Sequence, residues 1–179
     1  MEQANHQPDK KTEEKPNAKP DVKPEEKLGV LSEIAYMLNE EKIVWAVGAS
    51  LLLYFKGGTD HFHDIVMVDE TDVDRAEEAL LKVGTLGLSN PDSRFKTRHF
   101  LEFSVRGVDI DLIAGFVIVK DGMEYDCTFT QAQIAEYIQV NGETIPLQSL
   151  RDWRRYYEWM GRNSKVDMID QMESGRNTG

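Results

Sequence analysis

The chain has 179 residues, room for one domain of ordinary size, and its 40% hydrophobic content with 3 Trp, 7 Phe and 6 Tyr excludes disorder throughout. A net charge of −11 argues against a broad, sequence-independent grip on nucleic acid, which needs Lys and Arg to displace counterions from phosphates. A single cysteine, Cys127, excludes an internal disulfide, and no Cys/His cluster has the spacing of a structural zinc site.

Residues 1 to 27 are built from Lys, Glu, Asp, Asn, Gln and Pro, with prolines at Pro8, Pro16, Pro20 and Pro24. They have little to bury, so ordering them would cost backbone entropy without return, and the reading is a disordered tail. Its Lys-Pro repetition suits a solubilising extension or a partner-binding arm. The N-terminus lacks the apolar stretch of a signal peptide and no segment is long enough to cross a bilayer, so the expectation is a soluble, cytoplasmic protein with no membrane partner.

From Pro24 onward, Leu28, Leu31, Ile34, Ala35 and Leu38 recur at helical spacing. A short strand, Ile43 to Val47, runs into the turn Gly48-Ala49-Ser50 and an apolar helix, Leu51 to Phe55, stopped by Gly57 and Gly58. His63 to Val68 reads as a second strand. Thr71 and Asp74 resemble a capping box ahead of a helix that buries Val73, Ala76, Ala79, Leu80 and Val83. Two antiparallel strands, Arg98 to Val105 and Val108 to Ile113, follow across the tight Arg106-Gly107 turn, and Asn141-Gly142 marks a type I′ hairpin. Leu150, Trp153, Tyr157 and Met160 define a helix that Gly161 ends, and a last helix runs from near Ser164 over Val166 to Met172.

In that order the elements carry Gly48-Ala49-Ser50, then Asp64 on one strand, then Val108-Asp109-Ile110-Asp111-Leu112 on another. The chain resembles the minimal nucleotidyltransferase branch of the polymerase-β-like superfamily, and its small bacterial members in particular, over about residues 28 to 172. The resemblance implies an α+β fold with a small mixed twisted sheet flanked by helices. The tail would occupy residues 1–27, the core 28–148 and a C-terminal helical extension 149–175. It also implies transfer of a nucleoside monophosphate from a triphosphate, ATP by preference, to a small-molecule or protein acceptor with magnesium. Gly48, Ser50 and Lys165 would meet phosphates, Asp64 and Asp111 would be catalytic, and Asp64, Asp111 and a displaced Asp109 would hold metal.

In-line displacement at phosphorus loads negative charge on the entering and leaving oxygens, and two magnesium ions neutralise it. Carboxylates at alternate positions of one strand share a face and can reach both ions. Here the second of those positions is Val66, which offers no lone pair, and the turn position before the serine is Ala49. The alternative function is therefore a catalytically inactive member acting as a nucleotide-binding or protein-interaction module. Either reading expects the Asp64 and Asp111 strands side by side, with both carboxyls aimed into a hollow beneath the Ser50 turn.

Blander readings accompany these. Ser50 is a good helix N-cap. His61 and His63 are too few for a zinc site. Lys165 could be a solvated surface lysine. Arg151, Arg154 and Arg155 could form a phosphate-binding face or a solvated one, with Arg162 adding to the local positive charge. Cys127 has no activating neighbour in sequence.

Overall fold

A computed structural model describes residues 21–88 and 95–176. The tail expected over residues 1–27 lies outside the described residues as far as residue 20, and residues 24–27 belong instead to the first helix, which starts at Pro24. Helix α1 (Pro24–Glu40) begins with proline in its first turn, where the missing N–H costs nothing, and buries Val30, Leu31, Ile34, Ala35 and Leu38. Strand β1 (Trp45–Val47) is fully buried and leads directly into α2 (Ala49–Phe55). Strand β2 (Asp64–Val68) follows.

The expected capping box at Thr71 is replaced by a 3-10 turn over Glu70–Asp72, in which the Asp69 side chain accepts from the Thr71 backbone and hydroxyl. Helix α3 (Val73–Leu81) follows, and its N-cap residue Asp72 turns its carboxylate away to accept from Val44 N–H at 2.9 Å and from Arg75 at 2.6 Å. The cap fails because the strand end at Val44 competes for the carboxylate.

Strands β3 (Thr85–Leu86), β4 (His99–Val105) and β5 (Val108–Ala114) are followed by a hairpin of β6 (Val117–Lys120) and β7 (Met123–Asp126) that the sequence reading missed. Its turn, Asp121-Gly122, carries the same signal as Asn141-Gly142, with both residues at positive φ. Strands β8 (Ile134–Val140) and β9 (Glu143–Gln148) form the expected Asn141-Gly142 hairpin. Helix α4 (Leu150–Trp159) is capped by Ser149, whose hydroxyl accepts from Asp152 N–H, and α5 (Asn163–Arg176) closes the described chain.

Among the described residues seven strands form one mixed sheet in the order β3-β4-β5-β2-β1-β9-β8, with β6 and β7 as a separate ribbon. Strands β2 and β5 run parallel, with Asp64 opposite Ile110, Ile65 opposite Asp111 and Val66 opposite Leu112. Helix α1 packs on β9, β5 and α3, while α2 touches β2 and α4, and α4 lies on β6 and α5. Arg154 forks onto Asp170 at 2.6 and 3.1 Å and so ties α4 to α5.

Candidate functional site

The turn between β1 and α2 is shaped by packing. A Cβ on Gly48 would lie 2.5 Å from Trp153 Nε1, so the indole of α4 presses on bare backbone there. Ala49 then adopts φ +52, the left-handed region that favours glycine and costs an L-residue about 1–2 kcal/mol. A glycine here would suit that backbone, and Ala49 occupies it under strain. Ser50 does not cap α2, whose N-cap is Gly48. Its hydroxyl instead accepts from His63 N–H at 2.9 Å, which fastens the turn to the start of β2 and leaves the hydroxyl proton to donate.

Beside this turn opens a cavity of about 930 Å³. Its sheet wall carries His63, Ile65, Phe100, Glu102, Asp111 and Ile113. Pairing explains the set: partners across a ladder share a face, so Ile65 stands with Asp111, and Glu102, opposite Asp111 on β4, stands with both. Trp153 and Tyr157 line the cavity from α4, Arg162 and Lys165 from the start of α5 and the turn before it, and Lys27 from α1. Four basic side chains, Lys27, Arg98, Arg162 and Lys165, thus converge on one hollow of an acidic chain. Two of them are engaged. Arg98 pairs with Glu70 and donates to Thr128, and Lys27 donates to the Phe62 carbonyl at 2.8 Å.

Asp64 is elsewhere. Alternation along β2 puts it and Val66 on the face opposite Ile65, with Ile110 and Leu112 of β5. It is 1% exposed, does not line the cavity, and neither of its carboxylate oxygens finds a hydrogen-bond partner. Burial pushes it up to about 7, against the pull of Lys27 and with a smaller push from Asp111. The expectation that Asp64 and Asp111 aim into one hollow is therefore corrected. The strands are neighbours, but their register sets the two carboxyls on opposite sides of the sheet.

Of the other residues singled out from sequence, Ser50, Lys165, Asp111, His61 and His63 line the cavity, while Gly48 and Asp109 do not. Asp111 is pushed up to about 6, first by burial and then by Glu102 and Asp109. Glu102, Arg98, Arg162 and Lys27 were not singled out for this cavity. Glu102 was legible, because counting back from the Arg106-Gly107 turn pairs it with Asp111. A two-magnesium site needs several convergent carboxylates, and among the described residues no group of three His, Cys, Asp or Glu could hold a metal ion. The side chains present do not fit that pair of ions.

Solved structures resemble this one, three of them as follows. A protein of Thermotoga maritima described as a "putative nucleotidyltransferase" superposes with TM-score 0.66 at 21% identity, covering 87% of this chain and 98% of its own. The fold is that of the nucleotidyltransferases. ANT(2″)-Ia in complex with adenylyl-2″-tobramycin matches the same nucleotidyltransferase fold with TM-score 0.55 at 11% identity, over 86% of this chain and 96% of its own. The solution structure of ANT(2″)-Ia, an antibiotic-resistance factor, gives TM-score 0.52 at 9% identity, over 86% and 92%. No protein-family model and no curated protein matches the sequence. Among the described residues no helix is long and apolar enough to cross a membrane.

Proposed function

We propose that this nucleotidyltransferase-fold protein binds a nucleoside triphosphate, ATP by preference, in the cavity beside the Ser50 turn without transferring its nucleotidyl group. The observation that carries this reading is Ile65 beside Asp111. On the cavity face of β2 and β5 the apolar sec-butyl group of Ile65 stands where a second metal-binding carboxylate would be needed, and Asp64 faces away. Lys165, which makes no ion pair among the described residues, and Arg162 supply positive charge for phosphate. The Ser50 hydroxyl supplies a donor, and Trp153, Phe100 and Phe116 offer apolar and aromatic wall for a base.

Titration calorimetry with ATP, with and without magnesium, tests the reading. Binding is expected in both conditions, and Lys165→Ala is expected to weaken it about tenfold, the loss of one charge-assisted contact of about 1.4 kcal/mol. Absence of heat at millimolar ATP would overturn it. The second reading is an active enzyme that moves a nucleoside monophosphate to a small molecule or protein, with Asp64 reoriented toward magnesium and Asp111. Pyrophosphate release by the natural chain that disappears in Asp64→Ala would establish the enzyme and sink the binding-only proposal.

A further inference from the structure

Strands β1 and β9 run parallel with Val47 opposite Leu147, so the chain leaves both at the same end of the sheet, through Gly48 and Gln148. Gly48 opens the Ser50 turn, while Gln148 precedes Ser149, the N-cap that starts α4 and with it Trp153. Gln148 is fully buried, and its Oε1 accepts from Trp153 Nε1 at 2.9 Å. Its Nε2 has no hydrogen-bond partner among the described residues. A buried amide left half-satisfied costs free energy, so glutamine is a poor choice here for stability alone. The amide gives direction to a ring instead. Phe116, Tyr156 and Tyr157 surround the indole, and the bond to Gln148 specifies which of its edges faces the end of the sheet.

The edge so directed is the one that meets the turn. A Cβ on Gly48 would lie 2.5, 2.6 and 2.6 Å from Trp153 Nε1, Cε2 and Cζ2, so the indole rests on the Gly48 backbone. The next residue, Ala49, has φ +52, a conformation that an L-residue leaves unless its surroundings hold it there. Ser50 follows, lining the cavity and accepting from His63 N–H at 2.9 Å. We propose that Gln148 is a positioning residue for this turn: by fixing the Trp153 indole against Gly48, it holds Ala49 in the left-handed region and Ser50 at the cavity wall. Gln148 itself does not line the cavity, so its action passes through the indole. Its consequence for phosphate rests on the nucleotide-binding reading above, whereas its hold on the turn does not.

Amide exchange with water, followed by NMR on the full chain without ligand, tests this. Gln148→Met keeps the length of the side chain and removes the acceptor. The His63 amide, held by the Ser50 hydroxyl, is expected to exchange about fivefold faster relative to the Met67 amide inside β2, the effect of losing about one hydrogen bond. Trp153→Phe breaks the same bond from the donor side and is expected to do likewise. Adding Ala49→Gly to Gln148→Met should restore the natural ratio, because glycine keeps a positive φ without support. An unchanged ratio overturns the proposal, as does equal acceleration of His63 and Met67, which would mark a loss of stability alone, or acceleration that Ala49→Gly leaves in place. Calorimetry with inorganic tripolyphosphate reads the consequence for binding, expected to weaken about fivefold in Gln148→Met and to recover with Ala49→Gly. If the natural chain binds no tripolyphosphate, the nucleotide reading fails while the exchange ratios still decide the role of Gln148.

Discussion

Asp64 is a carboxyl group without a hydrogen-bond partner, enclosed at 1% exposure. Its folded pKa of about 7 lies above the ordinary 3.8, so the folded state holds the proton more tightly than the unfolded one. The sign follows: the native state is favoured while the group is protonated in both forms, below about 4, and loses that advantage as pH rises through about 7. Asp64→Asn should remove the pH-dependent loss. The difference in unfolding free energy between the variant and the natural chain is expected to grow in the variant's favour between pH 4 and 7.5, by up to about 4 kcal/mol at 1.36 kcal/mol per pKa unit. Urea denaturation at both pH values reads this, and a constant difference across the range would refute it.

Gly48 poses a steric question rather than a titration. Its φ of −133 is open to any residue, so its need for hydrogen comes from the indole. A methyl group 2.5 Å from Trp153 Nε1 must push back a ring already bonded to Gln148 Oε1 at 2.9 Å and stacked on Phe116. Gly48→Ala is expected to destabilise by about 2 kcal/mol, in the range for overpacked cores. Guanidinium denaturation measures it, and an unchanged midpoint would mean that the α4 contact yields more easily than its packing suggests.

The hairpins show how elements are decided by two residues. In β8–β9 the turn pair Asn141 and Gly142 has φ +50 and +82, the type I′ geometry whose twist matches the flanking strands. The turn holds the register Val140 opposite Glu143 through Tyr137 opposite Pro146, until a bulge between Ile134 and Glu136 breaks it. Gly142→Ala forces a methyl group into the left-handed region and is expected to cost about 1 kcal/mol, visible as a lowered melting temperature. Helix α2 is decided differently. Only seven residues long, it has no stability of its own and persists because Leu51, Leu52 and Leu53 are fully buried and Ser50 is bonded to β2. The Arg154–Asp170 fork between α4 and α5 sits at partly exposed side chains, so it orients the helices more than it stabilises them.

Across the whole molecule the register of β2 against β5 decides which chemistry the cavity can host. Val66→Asp, the replacement that the sequence motif invites, places a carboxylate on a fully buried face without opening it to the cavity. It is expected to destabilise by about 3 kcal/mol or more, as unpaired buried charge does, and to leave metal binding unchanged. Ile65→Asp, by contrast, sets a carboxylate beside Asp111 and Glu102. It is expected to create magnesium-dependent tightening of ATP binding that the natural chain lacks. Calorimetry of both variants with and without magnesium compares them, and metal-dependent binding appearing in Val66→Asp alone would show that the strand faces are the reverse of those described.

The local decisions were written in the sequence because neighbouring residues make them. Gly-containing pairs bend hairpins, Pro24 opens α1, Gly161 ends α4, and apolar spacing selects the buried helix faces. The order of a Gly-Ser turn, an Asp strand and a second Asp strand was enough to point to the nucleotidyltransferase fold. Glu102 opposite Asp111 follows from the same local logic, since a two-residue turn sets antiparallel register. The parallel pairing of β2 with β5 has no such turn. The two strands are joined through α3, β3 and β4, and their offset is set by how the whole sheet packs, where one residue of slip exchanges faces. That is why Asp64 was placed in the cavity by its motif and in the interior by the fold, and why the convergence of Lys27, Arg98 and the Arg162–Lys165 turn from three separate parts of the chain was decided by tertiary structure alone.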